Sequence, residues 1–280
     1  MMNSEILMHP KTEQFVVTYI KNPSQSLMLS APKGFGKQTF SSYLVDKATQ
    51  NRKEFQFHVY PGETGIVQIE NIRAIKDFVR LRTNNKNSKR FIVIHSADTM
   101  NEEAQNALLK VLEEPPENCH IILTVESTDL LLPTIISRVT EYQLSIPTKE
   151  QCFQYFSNYD KKSVENALAL SNGLPGLTAS LVKGEASSFI ESIALAKKIL
   201  TSKLDDKLEY VEKLSKNKVE AQLLVQSLML IATSAVHASV TASKNPLRWK
   251  PRIELIAEAE DLLMKNVSTK LVLTRLFASI

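Results

Sequence analysis

Apolar residues in the first half of the chain fall into short runs, separated by stretches where they recur every three to four positions. The runs at 27–30, 55–59, 91–95, 121–124 and 141–144 predict five strands. Several are continuously apolar, as expected of strands in a parallel sheet covered by helices on both faces. The best specified helix follows Thr99. Ala104, Ala107, Leu108, Val111 and Leu112 form one stripe, Thr99 is the expected N-cap with Glu102 at the capping-box position, and Pro115-Pro116 end the helix. Asp98, just before that cap, is read as a residue leading into the helix. Beyond Pro147 the strand signals fade. Residues 148–184 predict a small helical unit with a turn at 172–176, and 185–280 predict helices rich in Ala, Leu, Lys and Glu, broken at Lys244-Asn245-Pro246.

Composition narrows the class. The chain has 280 residues, 43% hydrophobic and 23% charged, as ordinary globular proteins do. No uninterrupted run of eighteen apolar residues is present and no secretory signal is read at the start, so the expectation is a cytoplasmic protein with no membrane span. Cys119 and Cys152 are far apart and lack metal-ligand spacing, so both are expected as free thiols, with no zinc or other metal site. Net charge is +4, but it is unevenly spread. Residues 71–90 carry Arg73, Lys76, Arg80, Arg82, Lys86, Lys89 and Arg90 against Asp77 alone, which exceeds the surplus of the whole chain. Arg73, Lys76 and Arg80 share a helical face beside an apolar face of Ile72, Ile75 and Val79. That face is either a solvated surface or a contact for nucleic-acid phosphates.

The loop after the first strand carries the candidate chemistry. Ala31-Pro32-Lys33-Gly34-Phe35-Gly36-Lys37-Gln38 departs from the phosphate-binding pattern G-x-x-x-x-G-K-[ST], in which backbone N–H groups cradle phosphate and the last hydroxyl holds Mg²⁺. Gly36 and Lys37 are in place, with Gly34 two residues before, but Ala31 replaces the first glycine and Gln38 the hydroxyl. Thr39 cannot substitute, because one residue along a helix turns the side chain by about 100°. The acidic pair expected at the end of a second apolar strand is also missing: His95 and Ser96 stand there. Mg²⁺ prefers carboxylate and water oxygens, so these residues cannot anchor it.

Three segments resemble bacterial DNA polymerase III clamp-loader subunits. They are Asp98-Thr99-Met100-Asn101-Glu102-Glu103-Ala104-Gln105-Asn106-Ala107-Leu108-Leu109-Lys110-Val111-Leu112-Glu113-Glu114-Pro115-Pro116, then Leu131-Leu132-Pro133-Thr134-Ile135-Ile136-Ser137-Arg138, and Val67-Gln68-Ile69-Glu70-Asn71-Ile72-Arg73. The stretch from Ile253 to Asn266 is similar to the end of the family's collar. The loss of nucleotide-site residues with retention of Ser137-Arg138 is similar to the delta-prime type. Val139 replaces the cysteine of the family's Ser-Arg-Cys segment. The resemblance implies an α/β AAA+ P-loop domain with a parallel sheet (1–146), a small helical lid (147–184) and an all-α collar (185–280). It implies a subunit that does not itself hydrolyse ATP and that supplies Arg138 as an arginine finger in trans, with Ser137 fixing the loop. ATP and Mg²⁺ would sit on a neighbouring subunit. The family's sensor arginine has no counterpart in 173–177, and its four-cysteine zinc module is absent. The implied partners are gamma/tau ATPase and delta subunits in a hetero-pentamer, the sliding clamp and primed DNA. The alternatives are an ATP-binding or weakly ATP-hydrolysing subunit of the same family, and a standalone DNA-binding protein of AAA+ type.

Overall fold

The computed structural model describes residues 6–62, 65–80, 89–115, 118–241, 245–265 and 267–280. The chain divides into two compact units. One is Met1–Tyr155 with Leu174–Gly176, and the other is Phe156–Gly173 with Leu177–Ile280.

The first unit is built on β1 (Ser26–Ser30), β2 (Gln56–Val59), β3 (Arg90–Ile94), β4 (Cys119–Val125) and β5 (Thr140–Gln143). The order is β2-β3-β4-β1-β5 and every pairing is parallel. This is the sheet that the continuous apolar runs predict, because such strands bury both faces. Alternate residues divide between two cores. Leu27, Leu29, Phe91, Val93 and Ile122 pack with Phe40, Leu44 and Val45 of α2 (Lys37–Thr49) and with Val16 and Tyr19 of α1 (Pro10–Lys21). Met28, Ile92, Ile94, Ile121 and Leu123 pack with Ile72 and Ile75 of α3 (Ile69–Arg80), Ala104 and Leu108 of α4 (Glu102–Glu113), and Ile135 of α5 (Pro133–Ile136). Helix α6 (Lys149–Tyr155) closes the unit.

Three local expectations change. Phe55 ends a 3₁₀ turn at Lys53–Phe55, and the strand starts one residue later. The edge strand β5 begins at Thr140, while Leu144 continues the ladder by donating its N–H to the Ser30 carbonyl at 2.9 Å. The cap of α4 is Asn101, whose side chain accepts the Ala104 N–H at 2.9 Å. Thr99 sits two residues earlier in the turn Ala97–Thr99, where its hydroxyl donates to Ser96 O and accepts the Val67 N–H. Both residue types are competent caps, and here the Thr99 hydroxyl is engaged by Val67 N–H and Ser96 O.

The second unit is helical: α7 (Lys161–Ser171), α8 (Pro175–Val182, whose first two residues count with the first unit), α9 (Ser187–Thr201), α10 (Leu204–Leu214), α11 (Lys218–Thr241), α12 (Lys250–Met264) and α13 (Thr269–Ser279). Its core joins Ala196 and Ile199 of α9, Val211 of α10, Leu224 and Leu228 of α11, Ile256 and Leu263 of α12, and Leu273 and Phe277 of α13. Lys218–Val236 has the length and mean hydropathy, 1.5, of a membrane span. A search for unbroken apolar runs misses it, because polar residues such as Gln226 and Ser227 interrupt it. Its Ala221, Leu224, Val225, Leu228 and Ala232 are buried in the helical core.

Candidate functional site

The loop between β1 and α2 keeps its turn. Gly34 and Gly36 have φ of 84° and 88°, a region open to glycine, and α2 starts at Lys37 directly after Gly36. The interior of this turn is taken up by the chain itself. Lys37 is buried, and its Nζ donates to the Ala31 carbonyl at 2.7 Å and the Pro32 carbonyl at 3.2 Å. Glu126 Oε1 lies 3.7 Å from the same ammonium. Burial pulls the Lys37 pKa below the ordinary lysine value, against the opposing pull of Glu126 and Asp98. Gly176 is seated on the loop, with its N–H donated to the Phe35 carbonyl at 3.0 Å. A Cβ built on Gly176 would stand 2.7 Å from Gly36 N, 2.8 Å from Gly36 Cα and 2.9 Å from Gly34 O. The turn at 173–177, read from sequence only as lacking a basic residue, thus includes a close partner of the loop. Glycine at 176 is the sequence signal for so close an approach.

The position that would hold an acidic pair carries a ring stack. His95 is 2% exposed, and its Nε2 lies 3.1 Å from His58 Nδ1. The Tyr60 ring stacks on it with centroids 4.5 Å apart. Burial, and then the neighbouring His58, push His95 down to a pKa of about 4. Its Nδ1 is buried without a partner among the described residues. Ser96 takes a left-handed conformation (φ 51°) and donates its N–H to Thr124 Oγ1 at 3.0 Å. Neutral imidazole and hydroxyl are poor anchors for Mg²⁺, and Gln38 is exposed at the start of α2. These residues do not fit an ATP·Mg²⁺ centre of the ordinary P-loop kind. Among the described residues no group of three metal-ligating side chains occurs. Cys119 and Cys152 are buried free thiols, and burial raises the pKa of both.

Asp98 does more than lead into the helix. It is buried in the turn Ala97–Thr99, and its Oδ2 accepts the N–H groups of Glu126 at 2.7 Å and Ser127 at 3.3 Å. It thereby fixes the chain leaving β4, which carries the Glu126 carboxylate to Lys37. Gln105 is a second residue that sequence reasoning missed. It is buried on the apolar face of α4, donates to the Met100 and Leu130 carbonyls at 3.1 and 3.0 Å, and accepts the Leu132 N–H at 2.8 Å. A lone amide inside the Ala104/Leu108 stripe was the available signal, because a buried amide needs partners.

Gln105 holds the segment that leads into α5 and Arg138. Arg138 is exposed beyond α5. Its Nη1 donates to Thr134 O at 3.0 Å and Ser137 Oγ at 3.3 Å, and Nη2 meets Glu113 Oε1 at 2.9 Å. Ser137 donates its own hydroxyl to Thr134 O at 3.0 Å. Arg73 is exposed on α3, opposite the buried Ile72 and Ile75. The side chains of Lys76, Val79 and Arg80, and the whole of 81–88, lie outside the described residues.

Comparisons with known proteins agree with this architecture. Residues 45–148 match a family model described as DNA polymerase III, delta subunit. The chain is 33% identical over 130 residues to the DNA polymerase III subunit delta' of Haemophilus influenzae, covering 45% of this chain and 38% of that protein. It is 30% identical over 123 residues to the subunit delta' of Pseudomonas aeruginosa, covering 42% and 37%. The chain therefore spans about two-fifths of the length of these curated relatives. A crystal structure of a DNA polymerase III gamma subunit-related protein from Thermotoga maritima superposes with a TM-score of 0.59 at 21% identity, over 95% of this chain and 97% of that one. It shows the fold: an α/β domain on a parallel sheet followed by a helical region.

Proposed function

With the chain a relative of DNA polymerase III clamp-loader subunits of delta-prime type, we propose that it is the non-hydrolysing member of such an assembly. In this reading it supplies Arg138 in trans to ATP held by a neighbouring subunit while the sliding clamp is loaded onto primed DNA. The observation that carries the reading is the loop at 31–37. Its lysine is spent on the loop's own carbonyls and on Glu126, and Gly176 lies against Gly34 and Gly36. Arg138 by contrast is exposed and anchored.

The chemistry follows from charge. Phosphoryl transfer gathers negative charge on the transferring group, and a guanidinium from a neighbour can raise the rate by about 10³–10⁵-fold. Arginine suits this because it is planar, permanently charged and able to bind two oxygens at once. Ser137 and Thr134 hold Nη1 of the guanidinium, so less freedom is lost on engagement. The partners in this reading are gamma/tau ATPase and delta subunits in a hetero-pentamer joined through the helical unit, with lid and collar divided near residue 184. The chain needs no nucleotide, metal or zinc of its own, and the assembly works in the cytoplasm. The basic face of α3, with Arg73 exposed, would touch the DNA backbone without reading sequence.

A second reading has its own observation. Gly34 and Gly36 retain the positive φ of a phosphate-binding turn, and α2 presents its N-terminus there. A subunit that binds ATP, or hydrolyses it weakly, would have to displace Gly176 and free Lys37. Measuring Mg²⁺-dependent ATP binding and turnover by the purified chain separates the two readings. Absence of turnover is expected, and clear turnover would transfer the role to the second.

A further inference from the structure

We propose that Glu113 is the positioning residue for Arg138, holding its guanidinium ready for an oxyanion presented by a neighbouring subunit. The proposal rests on the reading of Arg138 as acting in trans. Glu113 is the last residue of α4, and Arg138 follows α5. The guanidinium is gripped from both helices: Glu113 Oε1 takes Nη2 at 2.9 Å, while Thr134 O and Ser137 Oγ take Nη1 at 3.0 and 3.3 Å. Three of the five N–H donors are engaged in this way, which leaves two for an incoming oxyanion.

The two helices are also tied to each other. Gln105 of α4 binds Leu130 O and Leu132 N, in the segment leading directly into α5. Glu113 therefore acts from a support that is fixed relative to the arginine loop. The side chains of Arg138 and Glu113 are 36% and 50% exposed, so the pair sits where a second protein can reach it. An arginine free to swing loses rotamer freedom when it engages phosphate, whereas one already held loses less. Displacing a reacting group by about 1 Å can lower a rate about 100-fold, so an anchor of this kind matters to turnover more than to binding. The geometry also gives the Glu-Glu-Pro-Pro end of α4 a task toward the Ser-Arg segment 25 positions later.

The test is the DNA-stimulated ATPase of a complex reconstituted with its ATPase neighbours, carrying Glu113→Ala, Glu113→Gln, Arg138→Ala or Glu113→Ala with Arg138→Ala. The expected result for Glu113→Ala is a kcat lower by about 10-fold or more with KM for ATP within about twofold. Glu113→Gln, which keeps an acceptor in place, recovers part of the loss. The double variant is no slower than Arg138→Ala alone. An unchanged thermal midpoint for the Glu113→Ala chain shows that the fold is intact. A Glu113→Ala complex at or above the wild-type rate, beside a crippled Arg138→Ala complex, would overturn the positioning role and leave the arginine finger standing. A loss seen only in KM, or losses that multiply in the double variant, would also overturn it. A wild-type rate for Arg138→Ala would remove the underlying reading and this proposal with it.

Discussion

Lowering the pH from 7 to 5 is expected to weaken the first unit through one buried imidazole. His95 is 2% exposed, and burial followed by the nearby His58 brings its pKa from 6.5 to about 4. The folded state therefore binds fewer protons than the unfolded chain between these values. Stability is complete above about pH 6.5 and is lost progressively as pH falls toward 4. A separation of about 2.5 units corresponds to about 3.4 kcal/mol once both states are protonated, and to about 2 kcal/mol between pH 7 and pH 5. Urea denaturation of the wild-type chain and of His95→Gln, at both pH values, isolates this contribution. The glutamine does not titrate, while His58 and His120, whose pKa values are also lowered first by burial, are present in both chains. The wild-type chain should lose about 2 kcal/mol more than the variant. Equal losses would refute the assignment of a neutral, buried His95 to the end of β3.

Gly176→Ala should lower stability by about 1–3 kcal/mol, because its Cβ has no room between Gly34 and Gly36; an unchanged urea midpoint would mean that the segment is not seated on the loop. Gln105→Ala should cost about 1–3 kcal/mol or more by leaving the Leu130 carbonyl and Leu132 N–H without their partner, with calorimetry of the purified chain as the check. In a reconstituted complex, Lys37→Ala should leave the ATPase rate near wild type while lowering the thermal midpoint of the chain, since this lysine bonds to its own loop; a loss of ATPase without a loss of stability would speak for nucleotide bound here. Arg73→Ala should reduce the salt slope of DNA binding by the complex by about 0.9 if it neutralises one phosphate, and an unaltered slope would remove it from the DNA contact.

Much of the first unit can be read from pattern alone. Runs such as 27–30 and 91–94 are buried on both faces, so burial writes itself into every residue. The edge strand β5 has exposed Thr140, Glu141 and Gln143, and its boundary is correspondingly blurred. The departures from the phosphate-binding pattern are legible at Gln38, His95 and Ser96, because those positions need particular chemical groups. What these residues contact is not legible in the sequence. Lys37 turns to carbonyls five and six residues back, Asp98 holds N–H groups near 126, and Gly176 approaches Gly36 across 140 positions. Each depends on tertiary neighbours that no local period encodes. The same is true of Arg138, whose exposure could be anticipated from its loop but whose carboxylate partner comes from the far end of another helix.

In the proposed role Arg138 acts on a nucleotide held by a neighbouring subunit. The most direct measurement is the DNA-stimulated ATPase and clamp loading of a reconstituted complex in which only Arg138 is changed, to alanine and to lysine. Alanine is expected to cost about 10³-fold at the affected ATP site, with lysine recovering little because it lacks the planar fork. Wild-type ATPase and clamp loading with Arg138→Ala would contradict it.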